Sequence, residues 1–500
     1  MDAIIGIDIG TTHMKAQLFD ENGVVLGSRK EDTPLDPDGY GNVYRPERVW
    51  KIVRSQMESL LECRDIHVAG ISITGMAEAG LIVDRRTGKE RTAILPWFDG
   101  RTARLAGGMT EEREKEVFSK TGLRNSYKYG IYKFLWLLEE TKMEKDDAVW
   151  LSMCDYIAWK LTGRLVTEPG FAARTYVYDI GRKRWDAGRI QEYGLNLSNF
   201  PEVVPSGSVV GTYLSADGRK IPVAIAGHDH ICAAFALLHQ EEEGICDSAG
   251  TSETYVGRLR LPVPGGCTGG SLKISMDTGL LYGPYVDGGY FFMANVPSSG
   301  HSVEWFRTKL QLSGLSYENM NQGLETLEMQ PTGLLYFPFL TGMGSPLYEA
   351  SARGTLIGLH EEMDGWTVLK GMMEGIQYQS AWLMEILRKE HGIQDSRILC
   401  AGGSVHNHVM MQLKADILKK NVIVPDMPEA TLCGAAALFL QKNRGKEAAE
   451  RFLQACLNKR ETYMPDPERS EAYQRIWKER YLPMVDILVK LCKKGDVQNV

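Results

Sequence analysis

A chain of 500 residues exceeds what one hydrophobic core organises, since cores stop growing near ~250–300 residues, so two domains of similar size are expected. Hydrophobic residues at 43%, charged residues at 24% and 52 glycines fit a globular protein rich in tight turns and exclude a disordered or fibrous one. A net charge of −7 creates no field that would gather nucleic acid or an anionic membrane, so neither is expected as a partner.

The opening MDAIIGIDIG has neither the basic start nor the small-residue cleavage site of a secretory signal. No run of ~18 apolar residues is available to span a bilayer, and a cytoplasmic location is expected. The nine cysteines are odd in number and never form a Cys-x-x-Cys pair, which reads as reduced, mostly buried thiols.

In chain order, apolar Ile4 to Ile9, the Gly10-Thr11-Thr12 turn, Ala16 to Phe19, a second turn at Asp20 to Gly23 and Val24 to Leu26 predict an antiparallel meander of three strands. Helices are expected at Pro46 to Cys63 and Tyr132 to Glu140, and strands at His67 to Ile73 and Ile221 to Ile225. That alternation is α/β in character. Near the middle, Gly244 to Val256 repeats the order strand, Asp, Gly-Thr turn, strand that opens the chain. On this echo the domains are placed at residues 1–243 and 244–500. Farther on come a strand at Arg397 to Cys400, the turn Ala401 to Ser404, and helices over His406 to Leu418 and Thr431 to Leu440, the last holding Gly434 and three alanines small enough for close packing. The final ~50 residues read as a solvated, amphipathic helical cap.

Asp8-x-Gly10-Thr11-Thr12-x-x-Lys15 places a carboxylate at a strand end, a glycine where backbone must come close to something, two hydroxyls and a cation on one turn. Such a turn can cradle phosphate oxygens while the carboxylate holds Mg²⁺ through water; an ordinary hairpin with a salt bridge is the alternative. No Gly-x-x-x-x-Gly-Lys-Ser/Thr occurs, so a P-loop is excluded. Strand, Gly402-Gly403, then helix is an arrangement that lets a ligand approach a helix N-terminus. Asp229, in Gly227-His228-Asp229-His230 after an apolar strand, is a candidate proton acceptor for phosphoryl transfer to an alcohol. A metal site built from His228, Asp229 and His230, or from His406 and His408, is disfavoured because alternate residues on a strand point to opposite faces.

Taken together and in order, these motifs resemble the FGGY carbohydrate kinase family over almost the whole chain. The similar stretches include Asp8 to Thr12, Trp97-Phe98-Asp99-Gly100-Arg101-Thr102, Thr121 to Leu123 with Lys133 to Trp136, Gly227-His228-Asp229, Gly250-Thr251-Ser252 and Gly402 to Asn407. The resemblance implies two duplicated ribonuclease-H-like domains around a central catalytic cleft and ATP-dependent phosphorylation of a hydroxyl of a small sugar or polyol, such as a pentulose. It also implies the roles. Asp229 would be the base; Asp8 would organise Mg²⁺; Thr11, Thr12, Lys15, Gly250, Thr251 and Gly300 would hold the phosphates of ATP; Gly402, Gly403 and Asn407 would seat the adenosine. Glu78, Trp97, Lys128 and His230, with Asp229, would line the acceptor pocket. A non-sugar ATPase of the same superfold, chaperone-like or actin-like, is the alternative, and a homodimer is left open.

Departures bear on the acceptor. In Thr74-Gly75-Met76-Ala77-Glu78-Ala79-Gly80, Glu78 takes the place of the xylulokinase histidine and of the glycerol kinase glutamate, but Ala77 replaces the glycerol kinase arginine. Glu78 is expected either to face the ligand or to pair with an arginine such as Arg101.

Overall fold

The computed structural model describes residues 2–62, 66–239, 244–259, 274–310, 315–393, 397–427, 429–457 and 460–494. In β1 (Asp2–Ile9) every residue after Asp2 is buried, so both faces are covered, as the unbroken apolar run requires of a central strand. The chain returns antiparallel as β2 (His13–Asp20) and again as β3 (Val25–Asp32), which confirms the meander. The third strand runs past the expected Val24 to Leu26 because it is an exposed edge, where Arg29, Lys30, Glu31 and Asp32 carry no apolar signal and guard against foreign pairing. Then β4 (His67–Gly75) and β6 (Lys220–His228) add in parallel and β5 (Val209–Leu214) closes the far edge, giving the order β5-β6-β4-β1-β2-β3.

The second sheet repeats this plan. Its strands are β7 (Ile245–Ala249), β8 (Glu253–Leu259), β9 (Leu281–Pro284), β10 (Tyr290–Val296), β11 (Ile398–Ala401), β12 (Val422–Pro425) and β13 (Arg460–Tyr463), in the order β9-β10-β8-β7-β11-β12-β13. Within it β10, β8 and β7 form an antiparallel meander, and β11 and β12 continue in parallel from β7, as β4 and β6 do from β1. The two ribonuclease-H-like units that the sequence implies are therefore present.

Helix α1 (Pro46–Leu61) starts with proline at its first position, where no hydrogen bond is lost, and buries Val49, Val53, Met57 and Leu60 along one face. α2 (Met153–Thr162) begins with a capping box in which Ser152 and Asp155 satisfy each other's backbone N–H groups. α3 (Asp229–Leu237) follows β6 directly. In the second half lie α4 (Gly300–Lys309), α5 (Gly365–His391), α6 (His408–Leu418) and α7 (Ala430–Arg444). Where a helix was expected to open at His406, a 3-10 turn over Gly403–His406 precedes α6.

The halves are joined by helices that cross. On α7, Gly434 meets the backbone of α3 so closely that a Cβ there would lie 1.9 Å from the Cys232 carbonyl oxygen. The same helix rests on the first sheet: Ser72 Oγ donates to the Ala435 carbonyl over 2.7 Å, and Gly70 leaves room for the Phe439 ring. Ile4, Phe19, Ile231, Leu399, Ile423 and Leu438 thus belong to one core drawn from both sheets.

One expectation needs correction. The C-terminal segment is not only a solvated cap: Tyr473, Trp477 and Tyr481 are buried against α5, with Trp477 Nε1 donating to the Tyr378 carbonyl, and β13 extends the second sheet. Its charged faces hide an aromatic stripe that composition does not weigh. Among the described residues the cysteines form no disulfide, as expected, and all are buried except the half-buried Cys492; Cys63 and Cys267 lie outside them.

Gly434→Ala should destabilise the protein by about 1–3 kcal/mol in urea denaturation, since the added methyl has only backbone to displace. Gly365→Ala, whose Cβ meets nothing within 4 Å, should stay within about 0.5 kcal/mol of wild type; equal effects would refute the close crossing.

Candidate active site

The hairpin turns after β1 and β7 correspond in kind and differ in length, the first spanning four residues and the second three. Ile9 pairs with Met14 before Gly10-Thr11-Thr12, and Ala249 pairs with Glu253 around Gly250-Thr251-Ser252. The Gly10 N–H donates to the His13 carbonyl (3.0 Å) and the Gly250 N–H to that of Ser252 (2.9 Å), so both loops turn tightly and leave Thr11, Thr12 and Thr251 exposed at their tips.

The aspartates are not equivalent, although the sequence echo suggests it. Asp8 stands two residues before its loop glycine and Asp247 three, and a shift of one residue on a strand sends a side chain to the opposite face. Asp8 lies on the cleft side. Asp247 is fully buried on the other, paired with Lys414, whose ammonium also lies 3.2 Å from Glu253 Oε1.

Asp229 is the first residue of α3, at its positive end, and accepts the His230 N–H over 2.6 Å. A register shift between Ile225 and Gly227 and the positive φ of Gly227 (136°) aim this junction, and Thr74 Oγ1 anchors it by donating to the Gly227 carbonyl (2.7 Å). Burial raises the Asp229 carboxyl above the usual range, with His230 acting in the opposite sense. Burial, and then the charge of Asp229, push Asp8 up to about 8, while Lys15 opposes this. Asp8 Oδ1 is buried without a hydrogen-bond partner. Two neighbouring carboxylates, one with an orphaned oxygen, fit a hydrated divalent cation between them.

Lys15 does not point free at the loop. Its ammonium is bound by both oxygens of Glu429 (2.8 and 2.6 Å), a residue 414 positions away at the entrance to α7, so the salt bridge weighed for this hairpin exists, but it ties the two halves together.

Around the base, His228 and His230 stack edge to face at 5.3 Å, and the His228, Asp229 and His230 ligand atoms lie within 4.8 Å of one another. The argument from opposite strand faces therefore fails here, because the chain passes from strand to helix at Asp229. Burial holds His228 well below the usual histidine range, and its Nε2 lies 3.1 Å from Asp229 Oδ1, which sets a neutral ring beside the carboxylate.

Glu78 adopts a left-handed backbone (φ 61°) in a tight turn closed by the Ala79 N–H donating to the Ala77 carbonyl (2.8 Å). A non-glycine residue held there is strained, as residues at functional sites often are. Its partner is Arg174, not Arg101: Arg174 Nε donates to Glu78 Oε1 (2.7 Å) with an Nη2 contact beside it, whereas Arg101 is taken by Asp38 and Asp99. Trp97 Nε1 donates to Thr11 Oγ1 (3.0 Å), and the Lys128 ammonium lies 5.3 Å from the Trp97 ring centre.

Across the cleft, a cavity of about 630 Å³ is lined by Gly250, Thr251, Gly300, Gly403 and Asn407 together with Tyr317 and Asn321. Gly300 opens α4 so close to the turn that a Cβ would lie 2.3 Å from the Gly250 carbonyl oxygen. Gly402 lies behind the lining, at φ 110°, with its Cα against the Ala249 carbonyl. Arg174, Glu429, Tyr317 and Asn321 escaped sequence reasoning because no local motif marks them; only their partners, distant in sequence, reveal them.

Two duplicated ribonuclease-H-like units, each presenting a tight hydroxyl-bearing turn, with a buried carboxylate at a helix start between them, define a phosphotransferase of the actin-like ATPase superfold. Residues 3–236 match the N-terminal domain and residues 248–440 the C-terminal domain of the FGGY family of carbohydrate kinases. The chain belongs to that family and is an ATP-dependent carbohydrate kinase, a phosphotransferase with an alcohol acceptor. It is 28% identical over 500 residues to the glycerol kinase of Vibrio atlanticus (strain LGP32), covering 95% of each chain. In fold it is similar to the xylulose kinase (20% identical) and the gluconate kinase (21% identical) of Lactobacillus acidophilus, each with a TM-score of 0.86 over 98% of both chains. Among the described residues no helix is long and apolar enough to cross a membrane.

Asp8→Asn removes one of two neighbouring buried carboxylates, so in EDTA it should raise the melting temperature by about 1–3 °C. Adding Mg²⁺ should stabilise the wild type and help the variant less. An unchanged melting temperature in EDTA, or equal stabilisation of both proteins, would remove Asp8 from the cation site.

Proposed function

We propose that the protein transfers the γ-phosphoryl group of ATP to a hydroxyl of a small polyhydroxylated acceptor, with residues 1–243 holding the acceptor and residues 244–500 the nucleotide, in the cytoplasm. The observation that carries this reading is the juxtaposition of Asp8 and Asp229: one carboxylate with a bare oxygen, the other raised by burial at the start of a helix.

In this reading Asp229 accepts the proton of the attacking hydroxyl, held in orientation by the His230 backbone N–H. Asp8 is the protein's anchor for Mg²⁺, which when bound offsets phosphate charge and aligns the β- and γ-phosphates. Thr11 and Thr12 from one turn and Gly250 and Thr251 from the other offer hydroxyls and N–H groups to the phosphates, and Gly300 lets the start of α4 come up behind them. Gly403 and Asn407 seat the adenosine in the cavity of about 630 Å³, with Gly402 turning the chain behind them and Tyr317 and Asn321 completing the wall. Glu78, Trp97, Lys128 and His230 shape the acceptor side. Lys15 acts through its bond to Glu429, bracing the first turn against α7 instead of binding phosphate itself.

Asp229→Asn should retain binding of nucleotide and acceptor but lower turnover by ~10²–10⁴-fold, the usual worth of a positioned proton acceptor. The base must be ionised, so wild-type turnover should fall as pH is lowered through its raised pKa, and this acid limb should vanish in the variant. Retention of more than a tenth of wild-type turnover would mean that another group takes the proton.

A further inference from the structure

The charge around Glu78 is unbalanced. Three cations, Arg174, Lys128 and Lys133, draw on this one carboxylate. Of the other nearby acids, Asp38 and Asp99 are held by Arg101, and Asp229, which interacts with both Glu78 and Arg174, leaves the three cations one negative charge short. Lys133 is wholly buried and donates to the Lys128 carbonyl, so its place is structural. Arg174 and Lys128 differ from it. The guanidinium spends Nε and Nη2 on Glu78, while its Nη1 is buried with no partner. The Lys128 ammonium has no carboxylate or carbonyl partner among the described residues and rests over the Trp97 ring.

A buried N–H left without an acceptor costs about 1–3 kcal/mol, and an uncompensated ammonium costs more once water is excluded, so such groups mark what a ligand supplies. A hydroxyl could accept from Nη1 but would leave the Lys128 charge standing. A carboxylate does both: it is planar, takes one N–H from the guanidinium and one from the ammonium, and carries the single charge that the site lacks. A phosphate dianion would overfill a wall that already holds Glu78 and Asp229.

We propose that the acceptor is an acidic sugar, an aldonate or keto-aldonate whose carboxylate is received between Arg174 Nη1 and Lys128 and whose hydroxyl chain runs toward Asp229. This rests on the reading of that side of the cleft as the acceptor pocket. It assigns to Arg174, which enters from the end of the short helix Pro169–Ala173, the guanidinium that Ala77 cannot provide.

The test is an ADP-release assay with Mg-ATP and matched acceptors: D-gluconate and D-xylonate against sorbitol, xylitol, glycerol, D-xylulose and D-xylulose 5-phosphate. At least one acid should exceed its neutral counterpart about 10²-fold or more in kcat/KM, the discrimination that unpaired buried polar groups impose. Lys128→Met and Arg174→Gln should each lower kcat/KM for the acid tenfold or more and leave the KM for ATP within about twofold, with Arg174→Lys recovering part of the loss. Preference for a neutral acceptor or for the sugar phosphate, or an acid preference that survives Lys128→Met, would overturn the acidic-sugar assignment and leave the kinase intact. Lys128 is partly exposed, so its variant decides the matter even if the Arg174 variants fail to fold. ADP release indifferent to every acceptor would overturn the acceptor pocket itself, and the proposal with it.

Discussion

The crossing of α3 and α7 is the contact on which the cleft depends. It is possible only because position 434 has no side chain, and it fixes two helix starts at once. One start carries Asp229. The other follows Glu429, which grips Lys15 on the strand beside Asp8. Asp229, Asp8 and the brace between the halves are thus referred to one steric constraint, and each sheet is covered by a helix that the crossing holds in place.

From that geometry follows an electrostatic condition. The carboxylates at the start of α3 and the end of β1 are both buried, and burial disfavours their charge before their mutual repulsion adds to it. Asp8 therefore favours a protonated form that a cation would displace, while the Asp229 carboxylate is oriented by the His230 N–H. The second half solves the same problem differently. There Asp247 is turned to the other face and paired with Lys414, so the second half offers no counterpart of Asp8.

How much of this was legible depended on whether a residue's partner lay nearby in sequence. The first meander, α1, β4 and β6, and the turns at Gly10, Gly250 and Gly402 all declare themselves through local period and glycine placement. The Asp247 echo misled because a repeat of residue types carries no face; only the count to the loop glycine, two against three, reveals the flip. At His228 to His230 the alternation of strand faces does not hold, because the strand ends at His228 and both Asp229 and His230 belong to α3. Arg174 and Glu429 could not be found at all, since one charge on a polar stretch resembles any other until the fold supplies its partner.

The acceptor side shows why the fold does not fix specificity. Solved structures whose names give them xylulose and gluconate share this architecture. The turn at Met76 to Gly80 is different. Its end is pinned, because Gly80 packs against the Trp150 ring and pairs with Leu95, yet Glu78 between is held at φ 61° only with the help of Arg174. A strained carboxylate whose orientation depends on a guanidinium from another element is a two-residue device: changing either partner alters which ligand atoms find a donor or an acceptor, and neither change disturbs the sheets beneath. Variation in acceptor can therefore accumulate at this wall while the crossing of α3 and α7, and the chemistry it positions, stay constant.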